Sequence, residues 1–296
     1  MMTSQRGRIG VLVFIFTIAG SIVIWAGILT AQSEADKFLL EFCPAKGSNL
    51  IYYINSTTKM TALKDFFGRD VSLDASAVGE IYVDIKGVVP EHTLTSLTTP
   101  GIHIDVQFPD NRTQFDISTT GTEPVQAIFS RRGMVDMIQN IENLNRQNKL
   151  NVSLEQIVKD FFPAFPRRTI AIGETWIESK QLVIPFQGIN LQVLIDETYF
   201  LDGVFHSFEG QIANISVDYR VRLMGSKSLG NSIGSFEGQG RGSGMLRVKI
   251  DGGYFTEFRI DHKTEGYFII KDRNTELFRW PFHLTVTVAI ILIGKY

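Results

Sequence analysis

Residues 236–250 read Phe-Glu-Gly-Gln-Gly-Arg-Gly-Ser-Gly-Met-Leu-Arg-Val-Lys-Ile, and this stretch decides the fold class. Phe236, Gly238, Gly240, Gly242, Gly244, Leu246, Val248 and Ile250 form one alternating set. Glu237, Gln239, Arg241, Ser243, Met245, Arg247 and Lys249 form the other. A period of two with one polar and one apolar set is the mark of a β-strand with one wet and one buried face. Successive inward positions at Gly238, Gly240, Gly242 and Gly244 carry no side chain. Each glycine costs roughly 0.5–1 kcal/mol against alanine within a strand, so something must offset the run. Another backbone or a bulky side chain lies against this shelf, or the strand bends there, or the shelf floors a cavity.

Working outward, the same period recurs. Ala213, Ile215, Val217, Tyr219, Val221 and Leu223 alternate with polar residues, as do Ile102, Ile104, Val106 and Phe108. Residues 50–57, 78–89, 113–119, 125–129, 134–138, 189–200, 254–260 and 267–271 are further strand candidates. Arg131-Arg132-Gly133, Leu201-Asp202-Gly203 and Asp251-Gly252-Gly253 read as turns, and residues 225–234 as a Gly/Ser loop. Residues 282–294 are almost wholly apolar but too short to cross a bilayer, and their β-branched content predicts a strand buried on both faces.

One helix is expected. Ser153-Leu154-Glu155-Gln156 is a capping-box pattern, and Leu154, Ile157, Val158, Phe161 and Phe162 follow at helical spacing until Pro163 and Pro166. A polar stretch at 140–148 is a second helix or a loop. The expected fold is mainly β: a single antiparallel, strongly curved sheet or half-barrel over residues 50–296, with one or two covering helices.

The N-terminus sets the compartment. Arg6 and Arg8 precede an uncharged run over residues 9–33, longer than the ~20 residues a bilayer crossing needs. Arginines on the near side place residues 1–8 in the cytoplasm and the rest outside. Residues 9–31 therefore read as a retained transmembrane signal anchor, with a cleaved signal peptide as the alternative, followed by a stem at 32–49. Cys43 is the only cysteine, which excludes an internal disulfide and C-x-x-C chemistry.

Little points to catalysis. The five histidines are scattered, with no H-E-x-x-H pattern, no Gly-x-Ser-x-Gly elbow and no calcium loop. The glycine run lacks dinucleotide spacing and no helix follows it. Asp196 and Glu197 point to opposite faces of one strand and cannot act as a pair. A formal net charge of −2 argues against a nucleic-acid partner. No catalytic, metal or cofactor residues are assigned.

Residues 165–176, Phe-Pro-Arg-Arg-Thr-Ile-Ala-Ile-Gly-Glu-Thr-Trp, resemble the F-P-x-x-P-[VI]-x-[VI]-G-[DE]-[ST]-W signature of an uncharacterised family of bacterial secreted or membrane-anchored β-proteins. Gly238, Gly240, Gly242 and Asp251-Gly252 fit that family's later glycine strand and turn, while Thr169 stands where proline is expected. The resemblance covers roughly residues 153–271 and implies an extracytoplasmic antiparallel β-protein, with no established activity.

Two readings follow. The first is a membrane-anchored, non-enzymatic module that binds a hydrophobic ligand such as a lipid or acyl chain. Its candidate contacts are Phe236, Gly238, Gly240, Gly242, Gly244 and Leu246, with Phe161 and Phe162 on a helical lid. The second is a structural or assembly protein of the cell envelope acting through a protein partner. A carboxylate hydrolase ranks behind both.

Overall fold

The computed structural model describes residues 36–64, 70–109, 111–145, 155, 158–159, 162–186, 189–208, 210–229, 232–272 and 275–296. The expected membrane segment at residues 9–31 therefore lies outside the described residues. Among those residues, no helix is long and apolar enough to cross a membrane.

Strands dominate. In chain order they are β1 (Lys37–Phe38), β2 (Asn49–Lys64), β3 (Asp70–Val88), β4 (His92–Thr98), β5 (Ile102–Phe108), β6 (Asn111–Ile117), β7 (Val125–Ser130) and β8 (Val135–Gln139). A short helix α1 (Glu142–Asn145) precedes β9 (Ile170–Ala171), β10 (Thr175–Phe186), β11 (Ile189–Ser207) and β12 (Gly210–Leu229). The last three are β13 (Ser232–Lys249), β14 (Tyr254–Asp272) and β15 (Thr275–Lys295).

Thirteen of these strands form one antiparallel sheet in the order β10-β11-β12-β13-β14-β15-β2-β3-β4-β7-β8, with β5 also on β3 and β6 on β5. β1 and β9 pair separately. The sheet is open, with β10 and β8 at its ends. β15 pairs with β14 on one side and β2 on the other, so the C-terminal strand joins the two halves of the chain. It alternates between covered and exposed positions from Trp280 to Val288, so only residues 288–292 are covered on both faces rather than the whole segment. Thr285 and Thr287 take the wet positions, which the apolar count of the segment concealed.

The strands are longer than their turn signals suggested. Leu201-Asp202-Gly203 is not a turn but a bulge inside β11, where the register with β12 shifts. Asp202 there accepts a 2.7 Å hydrogen bond from Ser216 Oγ on β12, so the aspartate serves the pair rather than a reversal. Most of the expected Gly/Ser loop at 225–234 is strand, since β12 and β13 stay paired from Gly225–Phe236 out to Leu229–Ser232. The two candidates at 254–260 and 267–271 are one strand, β14. Real turns remain at Gly133 and Gly253, whose φ angles of 75° and 65° favour glycine.

Side chains from this sheet make two apolar clusters. The larger gathers Phe42, Tyr52, Phe129, Phe162, Phe165, Tyr199, Leu246, Val248 and Phe255 among others. Phe162 stands at its centre, with ring centroids 4.5 Å from Phe129 and 5.7 Å from both Phe42 and Phe255. The smaller cluster is Met60, Phe236, Phe268, Ile270 and Phe282, with Leu73, Leu191, Leu223, Trp280 and Leu284 packed against it. Burial of each such side chain stabilises the fold by about 1.5–3 kcal/mol, so the clusters hold the two ends of the long strands.

The expected covering helix is only partly within view. Glu155, Val158 and Lys159 are helical, while Phe161 and most of its neighbours lie outside the described residues. Among the described residues non-helical segments around Phe42 and from Phe162 to Phe165 fill much of the interior, while Leu144 of α1 belongs to the same cluster and the helical Val158 packs against it. The second segment also bridges the ends of the sheet. Trp176 Nε1 on β10 donates to the Ala164 carbonyl at 3.0 Å. Arg132, in the turn before β8, donates to the Phe165 carbonyl at 3.2 Å and pairs with Glu178 on β10.

Candidate functional site

Directly opposed residues of antiparallel strands project from the same face. The pairing therefore lays out the inner face as rows. One row runs Glu178, Glu197, Tyr219, Gly242, His262, Val286, Thr58 and Ala75, across β10 to β15 and on to β2 and β3. The next holds Trp176, Tyr199, Val217, Gly244, Ile260, Val288, Ser56 and Ala77.

Exposure along these rows is uneven. On one side the next row is closed, with Leu246, Phe258 and Ile290 buried in the larger cluster; on the other the next row holds buried Thr264 and Met60, and beyond it lie Phe236, Phe268 and Phe282 of the smaller cluster. Between them, Gly242, His262, Val286, Thr58 and Ala75 are only half-buried, and so are Gly244, Ile260, Val288, Ser56 and Ala77. An inner wall of small and β-branched residues thus lies between two aromatic clusters without being fully covered.

The glycines fit this wall for a specific reason. A Cβ at Gly238 would lie 2.8 Å from Phe282 Cζ, and one at Gly240 would lie 2.5 Å from the Lys263 carbonyl oxygen. At Gly242 and Gly244 the obstruction is again the β14 backbone, through the carbonyls of Asp261 and Arg259. Of the options open in the sequence, two are found: a bulky side chain, Phe282, lies against Gly238, and the β14 backbone closely approaches Gly240, Gly242 and Gly244. The candidate contacts are correspondingly divided. Phe236 sits in the smaller cluster, Leu246 and Phe162 in the larger, and the four glycines span the interval.

Polar groups border the wall. Thr264, opposite Gly240, is fully buried, and its hydroxyl has no hydrogen-bond partner. Burial holds the pKa of His262 below its ordinary value, which keeps the imidazole neutral near pH 7. Glu197, 2% exposed, receives 3.0 Å and 2.6 Å contacts from Lys180 Nζ and the Tyr199 hydroxyl. Burial, and then the Glu197 charge, push the Tyr199 and Tyr219 phenols well above their normal pKa. The facing carboxylates Glu178 and Glu197 thus each carry their own cation, Arg132 and Lys180.

This polar ladder did not emerge from the sequence. Its signal was available, because Glu197 shares a face with Ile195 and Tyr199, so an acid stands among inward positions. Among the described residues no group of three or more His, Cys, Asp or Glu could hold a metal ion. What the wall can do chemically is present a long surface of low relief, largely apolar, with a neutral imidazole on it.

No family model matches the chain, and no curated protein does. Among solved structures, the chain aligns with Pseudomonas aeruginosa OccK5 (OpdH) at 8% identity and a TM-score of 0.20, over 84% of this chain and 100% of that one. It also aligns with an outer membrane channel from Pseudomonas putida F1 at 12% identity and a TM-score of 0.15, over 87% and 100%. Scores of that size do not correspond to a shared fold.

Proposed function

We propose that this chain is a non-enzymatic, extracytoplasmic binding module of the cell envelope, tethered by its N-terminal apolar run, that holds a hydrophobic ligand such as a lipid acyl chain on the inner face of its sheet. One observation carries the reading: Ile260, Val286, Val288, Ala75 and Ala77 remain half-buried between two closed clusters on the same face. Apolar surface left uncovered inside a fold gains free energy when a ligand removes it from water, at about 25 cal/mol per Å². The glycines keep the wall low, so a chain-like ligand can lie along it.

A second reading, envelope assembly through protein contacts, draws on the free edge at β10, with Ile177 and Val183 exposed on its outer side. An edge strand of that kind is a template for pairing with another chain. Native mass spectrometry of the full chain, extracted in mild detergent, separates the two. Co-purified lipid supports the module, whereas a stoichiometric protein partner without lipid supports assembly and rejects the module.

A further inference from the structure

A cleft of about 310 Å³ lies at the open edge of the sheet, between the chain from Pro166 to Ile170 and the first residues of β10. It straddles the edge strand. Trp176 enters from the inner face, stacked on Tyr199 at 4.8 Å, while Ile177 on the outer face is 66% exposed. Pro166 and Ile170 supply more apolar wall, and both are buried.

The charges at this cleft do not cancel. Glu174 is taken by Arg168, whose Nη1 lies 2.8 Å from its carboxylate, and the Ala171 amide also donates to it at 3.0 Å. Glu178 is taken by Arg132. Arg167, exposed on the cleft lining, has no acidic partner among the described residues. Among the described residues the result is one guanidinium without an acidic partner, beside an exposed isoleucine and an indole.

We propose that this cleft binds an anionic amphiphile, with a phosphate or carboxylate headgroup held by Arg167 and the first part of its apolar chain laid against Ile177. Guanidinium groups suit both headgroups because their planar N–H fork matches two oxygens at once. The site stands at the sheet edge, where Trp176 and Glu178 begin the two inner rows, and it uses none of the half-buried wall residues between Gly242 and Ala77.

The test uses the full chain in a non-ionic detergent. Dihexanoyl-phosphatidylglycerol, dihexanoyl-phosphatidylcholine and inorganic phosphate are titrated in turn and followed by native mass spectrometry. The anionic lipid is expected to bind more tightly than the zwitterionic one. Arg167→Gln should weaken it about tenfold, the order of one charge-assisted hydrogen bond, with no change in melting temperature. Ile177→Ser should weaken the lipid and leave phosphate alone. Equal binding of both lipids, or unchanged binding by Arg167→Gln, overturns the proposal. Phosphate as strong a ligand as the anionic lipid overturns the amphiphile and leaves an anion site. Val286→Trp on the inner wall should have no effect here, so failure of this site and failure of the wall are told apart.

Discussion

Thr264 stands directly opposite Gly240 across the β13–β14 pair, and its buried hydroxyl occupies the space that a side chain at 240 would need. The glycine is thus a condition of how closely the two strands lie. Gly240→Ala is expected to destabilise the protein by about 1–3 kcal/mol, the range for forcing atoms into a filled site. Thr264→Gly should recover part of that loss in the double variant, because the Lys263 carbonyl still obstructs the new methyl. Gln239→Ala, on the exposed face, should change stability by no more than ~0.5 kcal/mol. Urea melts of the four chains measure all of this.

His262, in the adjacent row, makes stability depend on pH. Its pKa is depressed by burial, so the unfolded chain binds a proton before the native one does as pH falls. Stability from this group is therefore complete above about pH 6.5, the ordinary histidine value, and declines as pH drops below it. Urea melts at pH 7.5 and 5.5 should show the decline, and His262→Gln should flatten it. An unchanged slope in that variant would assign the effect to another group.

Lys180 and Glu197 form an ion pair with side chains only 16% and 3% exposed. Lys180→Met leaves the Glu197 carboxylate buried without its cation, and a loss of about 3–5 kcal/mol is expected. Lys180→Met with Glu197→Leu should be closer to the unsubstituted chain than Lys180→Met alone. Additive losses in that thermodynamic cycle would mean that the two side chains do not act as a pair.

Deletion of residues 284–293 should abolish cooperative melting in the full chain, followed by circular dichroism. Those residues pair with both β14 and β2, so their loss divides the sheet. Whole-protein stability is typically only ~5–15 kcal/mol, and one such strand buries several side chains worth about 1.5–3 kcal/mol each. A sharp transition at the original temperature would contradict the place given to β15.

The strand class was legible because alternation survives in the sequence wherever one face is wet, as at Ala213–Leu223 and along the glycine strand. Strand length was not. Asp202-Gly203 and Gly225 carry turn chemistry, yet neighbouring strands hold them extended, and pairing outweighs the local preference. The pairing of β15 with β2 was also invisible, since nothing local in either segment names a partner so distant in sequence. For the candidate site, the inward set on β13 could be read directly. The identity of what lies against it could not, because Thr264, Phe282 and the β14 carbonyls reach the glycines only through the register.

The central claim, an apolar ligand on the inner wall, is tested most directly by photo-crosslinking the full chain with a diazirine-bearing fatty acid and mapping the labelled peptides. The account predicts label on peptides carrying Thr58, Ala75, Ala77, Ile260, Val286 and Val288, and its loss in Val286→Trp with folding retained. Label confined to the exposed outer residues Phe205, Phe208 and Ile233, or unchanged label on the wall peptides of Val286→Trp, would contradict it.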